Sequence, residues 1–274
     1  RITPLAQRTY AIGLSPDGKQ LIVAGGDPGQ LGELRLIDRV SGDLVKVLRT
    51  TGGVILDAAF DPAGQRVAAC GVDGRVLVFE VATGDVLHDF ASHADWANAV
   101  AWSHDGKQLA SAGRDKSAKV YDIETGQVIA TYPDHDAAVH GVAFHSDNER
   151  VYTTGADRKV HLWQVKDAKR VGDIGGFSKD IFRLTVAGGA MLLPSADGAV
   201  RQYDIKDRNL QRTYEGHDDW VMCAARDVET KRVAAGAFDG RVIVWDGEGK
   251  VVSSFVAAPG RDDRAPAQGD ASDP

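Results

Sequence analysis

Residues 97–132 read ANAVAWSHDGKQLASAGRDKSAKVYDIETGQVIATY, and the fold follows from how this stretch divides. Short apolar runs, ANAVAW (97–102), LASAG (109–113), AKVYD (118–122) and VIATY (128–132), alternate with turn chemistry: SHDGKQ, a tight turn around Asp115, and ETGQ. Runs of this length bounded by Gly, Asp and Ser clusters are strands joined by turns, so the stretch predicts four strands. The apolar spacing is not helical, and the helical stretches of roughly 10–15 residues that a parallel α/β sheet requires are missing. The chain reads as all-β.

The same unit recurs. LRLID (34–38), VLVFE (76–80), AKVYD (118–122), VHLWQ (160–164), VRQYD (200–204) and VIVWD (242–246) are versions of one strand. Their last residues, Asp38, Glu80, Asp122, Gln164, Asp204 and Asp246, are separated by 42, 42, 42, 40 and 42 positions. The first turn returns as SPDGKQ (15–20), DPAGQR (61–66), HSDNER (145–150) and DVETKR (227–232). A period in this range marks a repeat architecture. One four-stranded antiparallel sheet cannot bury both of its faces, whereas sheets stacked around an axis can. The expected fold is an all-β propeller of four-stranded antiparallel blades. Six units are visible, approximately 10–48, 49–90, 91–132, 133–174, 175–214 and 215–256, followed by a tail at 257–274 whose composition predicts disorder.

The units resemble WD repeats over about residues 10–256. The resemblance is carried by a His before the first strand (Ser92-His93, Asp134-His135, Gly216-His217), by a turn Asp six residues before an aromatic (Asp73, Asp115, Asp157, Asp197, Asp239), and by Trp245-Asp246. It implies a buried network in which the His donates to the turn Asp and a hydroxyl leads on to the Trp indole. Carried over, the set is His135, Thr153, Asp157 and Trp163 in unit four. Unit three has His93, Ser111 and Asp115, with Tyr121 in place of Trp. Unit six has His217, Asp239 and Trp245, with Ala235 at the hydroxyl position. Units two and five carry Thr51 and Phe177 where the His belongs, and unit one inserts GGDPGQLGE (25–33) at the tight turn, which reads as a protruding hairpin.

Closure is the open question. Each unit supplies its own outer strand, and residues 1–9 offer at most one more, so no strand is evident for the overlap that latches such rings. Most members of the resembled family have seven blades, which favours an upstream blade or domain outside this sequence; a free six-bladed ring is the alternative.

Composition excludes several classes. Of 274 residues 43% are hydrophobic and 26% charged, a globular balance. No run approaches the roughly 18 apolar residues of a membrane span, so no membrane insertion is expected. Cys70 and Cys223 match neither a disulfide framework nor a zinc or haem motif, and both read as small buried hydrophobes. A formal net charge of −7 argues against nucleic acid as a partner. Arg1 opens the sequence without a Met or targeting segment, which leaves the compartment unread.

Neither a nucleophile elbow, nor a phosphate-binding glycine loop, nor a zinc-protease motif occurs. Three of the eight His residues sit at the repeat position, and His104 and His145, in first turns, are expected to be solvated. No catalytic residue, cofactor or metal is therefore assigned. In WD-repeat proteins the common docking surface is the face bearing the loops before the first strand and before the turn Asp. Those positions here are Tyr10, Leu56, Trp96, Asn98, Arg114, His140, Asp180, Phe182, Trp220, Met222 and Phe238, a set rich in residues that dominate protein interfaces. The expected function is a non-catalytic scaffold that binds a protein or peptide there. The alternatives are an enzyme or small-ligand propeller with its site in the central channel, or an accessory module of a larger protein. Runs such as SPDGKQLIVAGG resemble bacterial propellers, which are often fused to a kinase, protease or cytochrome domain.

Overall fold

A computed structural model of the chain describes residues 8–27, 29 and 31–257. It contains six four-stranded antiparallel sheets, at 9–51, 55–91, 97–132, 139–174, 185–214 and 221–256, each pairing its strands in chain order from the channel outward. The six sheets are the blades of a β-propeller. The hairpin of blade one is lengthened as its insertion suggested, with pairing out to Gly26 and Gly32. The tail expected to be disordered lies outside the described residues apart from Ala257.

Packing follows from strand alternation. In each blade one set of side chains faces the preceding blade and the other faces the next. Leu34 and Leu36 of blade one pack with Val67, Ala69, Leu77 and Phe79 of blade two. Val76 and Val78, on the opposite face of blade two, pack with Trp102, Leu109 and Tyr121 of blade three. At the seams between blades two and three and between three and four, a small Ala/Val face meets a bulkier aromatic one, and the seams are also sewn by polar bonds. The Trp102 indole donates to the Ala59 carbonyl at 3.1 Å, Asn98 Nδ2 to the Val139 carbonyl at 2.8 Å, and Tyr152 Oη to the Ile205 carbonyl at 2.8 Å.

Blade five departs from the pattern. Its first strand is only Thr185–Ala187, preceded by an isolated bridge between Ile181 and Ser195. The facing strand contains Pro194, which has no N–H to donate; its carbonyl accepts from the Phe182 N–H at 3.0 Å. The chain between leaves the ladder there, freeing Arg183 to reach into the channel.

The buried networks differ from unit to unit. In unit three the His93 ring meets Asp115 at 3.1 Å and Ser111 Oγ at 2.6 Å, and the chain runs on through the Tyr121 hydroxyl, 2.9 Å from Ser111 and 2.6 Å from Ser92. In unit four His135 meets Asp157 and Thr153, each at 2.7 Å. The expected last link, to Trp163, is not made: its indole nitrogen finds no partner among the described residues, and the ring stacks on Tyr132 at 5.0 Å. In unit six His217 bonds neither Asp239 nor a hydroxyl, because Ala235 supplies none, and the Trp245 indole donates instead to the Glu215 carbonyl at 3.3 Å. In unit five, where Phe177 replaces His, Arg201 takes over: it pairs with Asp197 at 2.8 Å and lies over the Phe177 ring.

Two expectations on single residues need correction, and one residue enters unannounced. His145 is buried rather than solvated, held between Asp147 and Arg150. Cys223 is exposed rather than buried, because the face of blade six that carries it is uncovered. His161, unremarked in the sequence, is buried in unit four, stacked on His135 at 4.1 Å. Arg170 donates to its Nε2 at 3.3 Å, so the ring proton sits on Nδ1, 2.9 Å from the Tyr132 hydroxyl.

Burial, reinforced by His135, holds the His161 pKa down to about 4, with Asp157 opposing. His161 is thus neutral in the fold while its unfolded counterpart takes up a proton below pH about 6.5. The stability it contributes is present above that pH and is lost as pH falls toward 4. Urea denaturation at a series of pH values is expected to show this fall, and a shallower one for His161→Gln. An unchanged slope in the variant would assign the acid sensitivity to other groups.

Candidate binding site at the channel mouth

The first strands line a central channel, and at one mouth the second positions of five of them converge with Phe182 of blade five. Tyr10, Leu56, Asn98, His140, Phe182 and Met222 all line a cavity of about 680 Å³. These are six of the eleven positions mapped from the repeat, one from each blade. In five blades the residue is the second of the inner strand, and in blade five Phe182 follows the isolated Ile181–Ser195 bridge that stands in for the start of that strand.

The remaining five do not line the cavity. All five are tied to it or to one another by ring and ion contacts in an outer collar. Phe182 lies 6.1 Å from Trp220, which lies 6.0 Å from Phe238, giving a run of three aromatic rings across blades five and six. His140 extends the run, 5.7 Å from Phe182, with Asp180 at 4.0 Å from its Nε2. Burial lowers the His140 pKa, partly opposed by Asp180, so the ring is neutral near pH 7. Arg114 lies over the Trp96 ring at 4.8 Å and pairs with Asp95 at 3.6 Å. Trp96, Trp220, Met222 and Phe238 are all exposed. Asn98 is the exception in the inner ring, since its amide is already committed to the Val139 carbonyl.

The floor of the site is an ion pair that sequence reasoning missed. Arg183 crosses from blade five to blade two, where one guanidinium nitrogen stands 3.2 Å from Asp57 Oδ1 and another donates to the Leu56 carbonyl at 3.0 Å. Asp57 is also held by the N–H groups of Ala58 at 2.9 Å and Val100 at 3.0 Å, the latter from blade three. Three blades therefore meet at one carboxylate. Burial raises the Asp57 pKa, opposed mainly by Arg183. A weak signal was present: Asp57 is a charged residue in the middle of the otherwise apolar strand ILDAAF.

One cluster has metal-binding spacing. Ligand atoms of His135, Asp157 and His161 lie within 4.8 Å of one another. Their capacity is already spent, with His135 bonded to Asp157 and Thr153, and His161 accepting from the cationic Arg170. The arrangement is that of a hydrogen-bonded core cluster.

A ring of repeated four-stranded blades with His-Asp networks defines a β-propeller of the WD-repeat class. The WD domain, G-beta repeat matches residues 42–80, 84–122, 126–164 and 208–246, more than half of the chain, and the chain belongs to this family. Each matched window closes on a strand-end residue of the repeat, Glu80, Asp122, Gln164 or Asp246. The windows skip the third strand of blade one, with its lengthened hairpin, and that of blade five, where Phe177 replaces His. Over 83 residues the chain is 35% identical to the intraflagellar transport protein 122 homolog of Homo sapiens, an overlap of 30% of this chain and 6% of that protein. The chain therefore spans only a small part of the length of this relative. No helix among the described residues is long and apolar enough to cross a membrane.

Breaking the floor tests its role. Arg183→Met leaves the Asp57 carboxylate buried without its cation and is expected to cost about 2–4 kcal/mol, the lower side of what a fully buried pair costs, since Arg183 is partly exposed. A carboxyl whose pKa is raised in the fold binds its proton more readily there, so protonation favours the fold. The cost should be largest near neutral pH and shrink as pH falls through the Asp57 pKa. Asp57→Asn combined with Arg183→Met should recover most of the loss in urea midpoints; equal losses at all pH values would remove the ion pair from the account.

Proposed function

We propose that this propeller is a non-catalytic interaction module whose channel mouth binds a segment of a protein or a peptide. The observation that carries the reading is the coincidence at one mouth of a cavity lined by every blade and a collar of exposed aromatic and soft apolar side chains. Solvent-exposed rings cost free energy unless something covers them, and Trp, Tyr, Met and Arg are the residue types that dominate interface energetics. The rings sit on loops held by rigid sheets, so little ordering entropy is lost on binding. Membership of the WD-repeat family supports the same reading, as does the likeness to a segment of a protein named for intraflagellar transport. The net charge of −7 favours a polypeptide over a phosphate backbone as the occupant.

The channel floor supports a binding role over a catalytic one. Asp57 is the channel carboxylate with a raised pKa, yet its oxygens are engaged by two N–H groups and a guanidinium. A general base needs a free lone pair within reach of substrate. Asp57 is spent on holding blades together.

The test is selection of short peptides from a displayed library on the intact chain, followed by calorimetric titration of those recovered. Phe182→Ala and Met222→Ala combined with Arg114→Glu should weaken binding at least ten-fold and leave the thermal midpoint nearly unchanged. Binding that survives this triple variant would place the site elsewhere, and a large loss of stability would show that these side chains are core.

A further inference from the structure

Charge enters the wall of the channel-mouth cavity at one point. Of the side chains that line it, Arg183 alone carries a formal charge, since the His140 ring is neutral near pH 7. Two other polar side chains in the wall are already spent: the Asn98 amide donates to the Val139 carbonyl at 2.8 Å, and the Thr185 hydroxyl donates to the Ala224 carbonyl at 2.8 Å. The carboxylate that pairs with Arg183 does not share this wall. Asp57 lines a second cavity, of about 390 Å³, on the other side of the ion pair, and Arg183 lines both. The pair thus stands across the channel with its cationic end toward the mouth and its anionic end away from it.

Arg183 has capacity left. A guanidinium presents five N–H groups in a fixed fork; among the described residues Asp57 and the Leu56 carbonyl are its protein partners, each on a different nitrogen. Its side chain is 31% exposed. Asp57 is held in turn by the N–H groups of Ala58 and Val100, so its charge is shared between the guanidinium and two backbone dipoles. A cation placed in this way at the end of an apolar pit attracts a further anion more strongly than a rim charge does, because little water is there to screen it.

The surroundings decide which anion and how it is presented. Asp57 lies 3.2 Å from the guanidinium, Asp180 stands at the collar beside His140, and the chain carries a net charge of −7. A phosphate would bring about −1.5 to −2 charges against one shared cation. A carboxylate brings one. With Asn98 and Thr185 spent, the walls offer a peptide backbone few hydrogen-bond partners, and backbone groups buried without partners are costly. The backbone therefore stays at the collar and a side chain goes in. The cavity continues sideways past Ile12 to Cys223, Ala234 and Val242, an apolar recess suited to an aliphatic or aromatic neighbour of that side chain.

We propose that the channel mouth recognises an acidic side chain, Glu or Asp, of the bound protein segment, its carboxylate accepting from Arg183 at the floor while an adjacent large apolar side chain fills the recess toward blade six. This inference rests on the channel-mouth reading and gives its occupant a chemistry.

The experiment uses two displayed libraries of short peptides, one with Glu and the other with Gln fixed at the central position, selected on the intact chain. Recovered peptides are then titrated calorimetrically in Glu and Gln versions. The Glu library is expected to enrich, with large apolar residues close to the Glu, and each Gln version should bind at least about ten-fold more weakly, the worth of one hydrogen bond to a charged group. On a chain carrying Asp57→Asn with Arg183→Met, its folding checked by the thermal midpoint, the two versions should bind equally. The bound Glu peptide should also slow labelling of Cys223 by a thiol reagent, with the buried Cys70 as reference. Equal enrichment of the two libraries, or Gln versions that bind as tightly as Glu versions, overturns the proposal whatever the folding of the double variant. So does a Glu preference that persists in the folded double variant, which would place the acid on a rim cation, or Cys223 labelling that the peptide leaves unchanged. None of these outcomes touches the channel-mouth reading, which falls only if binding survives Phe182→Ala, Met222→Ala and Arg114→Glu together.

Discussion

A four-stranded sheet with two apolar faces can bury them only against other sheets, and everything else in this molecule follows from that constraint. No blade buries both of its faces by itself, so each depends on its neighbours for a core. The alternation of side chains along a strand assigns one row to each neighbour, so the core runs seam by seam from blade one to blade six. It also makes Ile12 and Leu14 of blade one and Phe255 of blade six stand out, since they are exposed where their counterparts in other blades are buried.

The repeat fixes positions, not chemistry, and the networks show how far chemistry can drift while position is kept. His93, His135 and His217 occupy one register, yet the first two build complete bonds to Asp115 and Asp157 while the third finds neither Asp239 nor a hydroxyl. Tyr121 carries the chain of hydroxyls onward where Trp163 only stacks. Phe177 and Arg201 replace the histidine arrangement with a guanidinium lying between a ring and a carboxylate. Where a donor or acceptor lies within reach the buried polar group takes it, because leaving it unpaired costs more than changing partners; the Trp163 indole and the His217 ring are left unpaired among the described residues.

The channel illustrates the same economy across greater distance. Pro194 withholds one ladder bond, the first strand of blade five breaks, and Arg183 leaves its own sheet to meet Asp57 on blade two. The mouth above it gathers one side chain from each blade, with an aromatic run from His140 through Phe182 and Trp220 to Phe238. A local defect in one strand thus sets the floor of the site whose walls are built by regular repetition.

Strand content, the six units and the register of each His and Asp were legible in the sequence, because each depends on periodicity along the chain, and periodicity survives without coordinates. The repeat also puts Tyr10, Leu56, Asn98, His140, Phe182 and Met222 at equivalent positions, and these six of the eleven residues carried over from the resemblance line one cavity. What tertiary structure alone decided are the relations between residues of unrelated register: Arg183 with Asp57, 126 positions apart, His161 against His135, and the exposure of Cys223 and Phe255. These depend on which blade face lies opposite which and on where a strand breaks. Burial is a property of the assembled ring, and no single repeat carries it in its sequence.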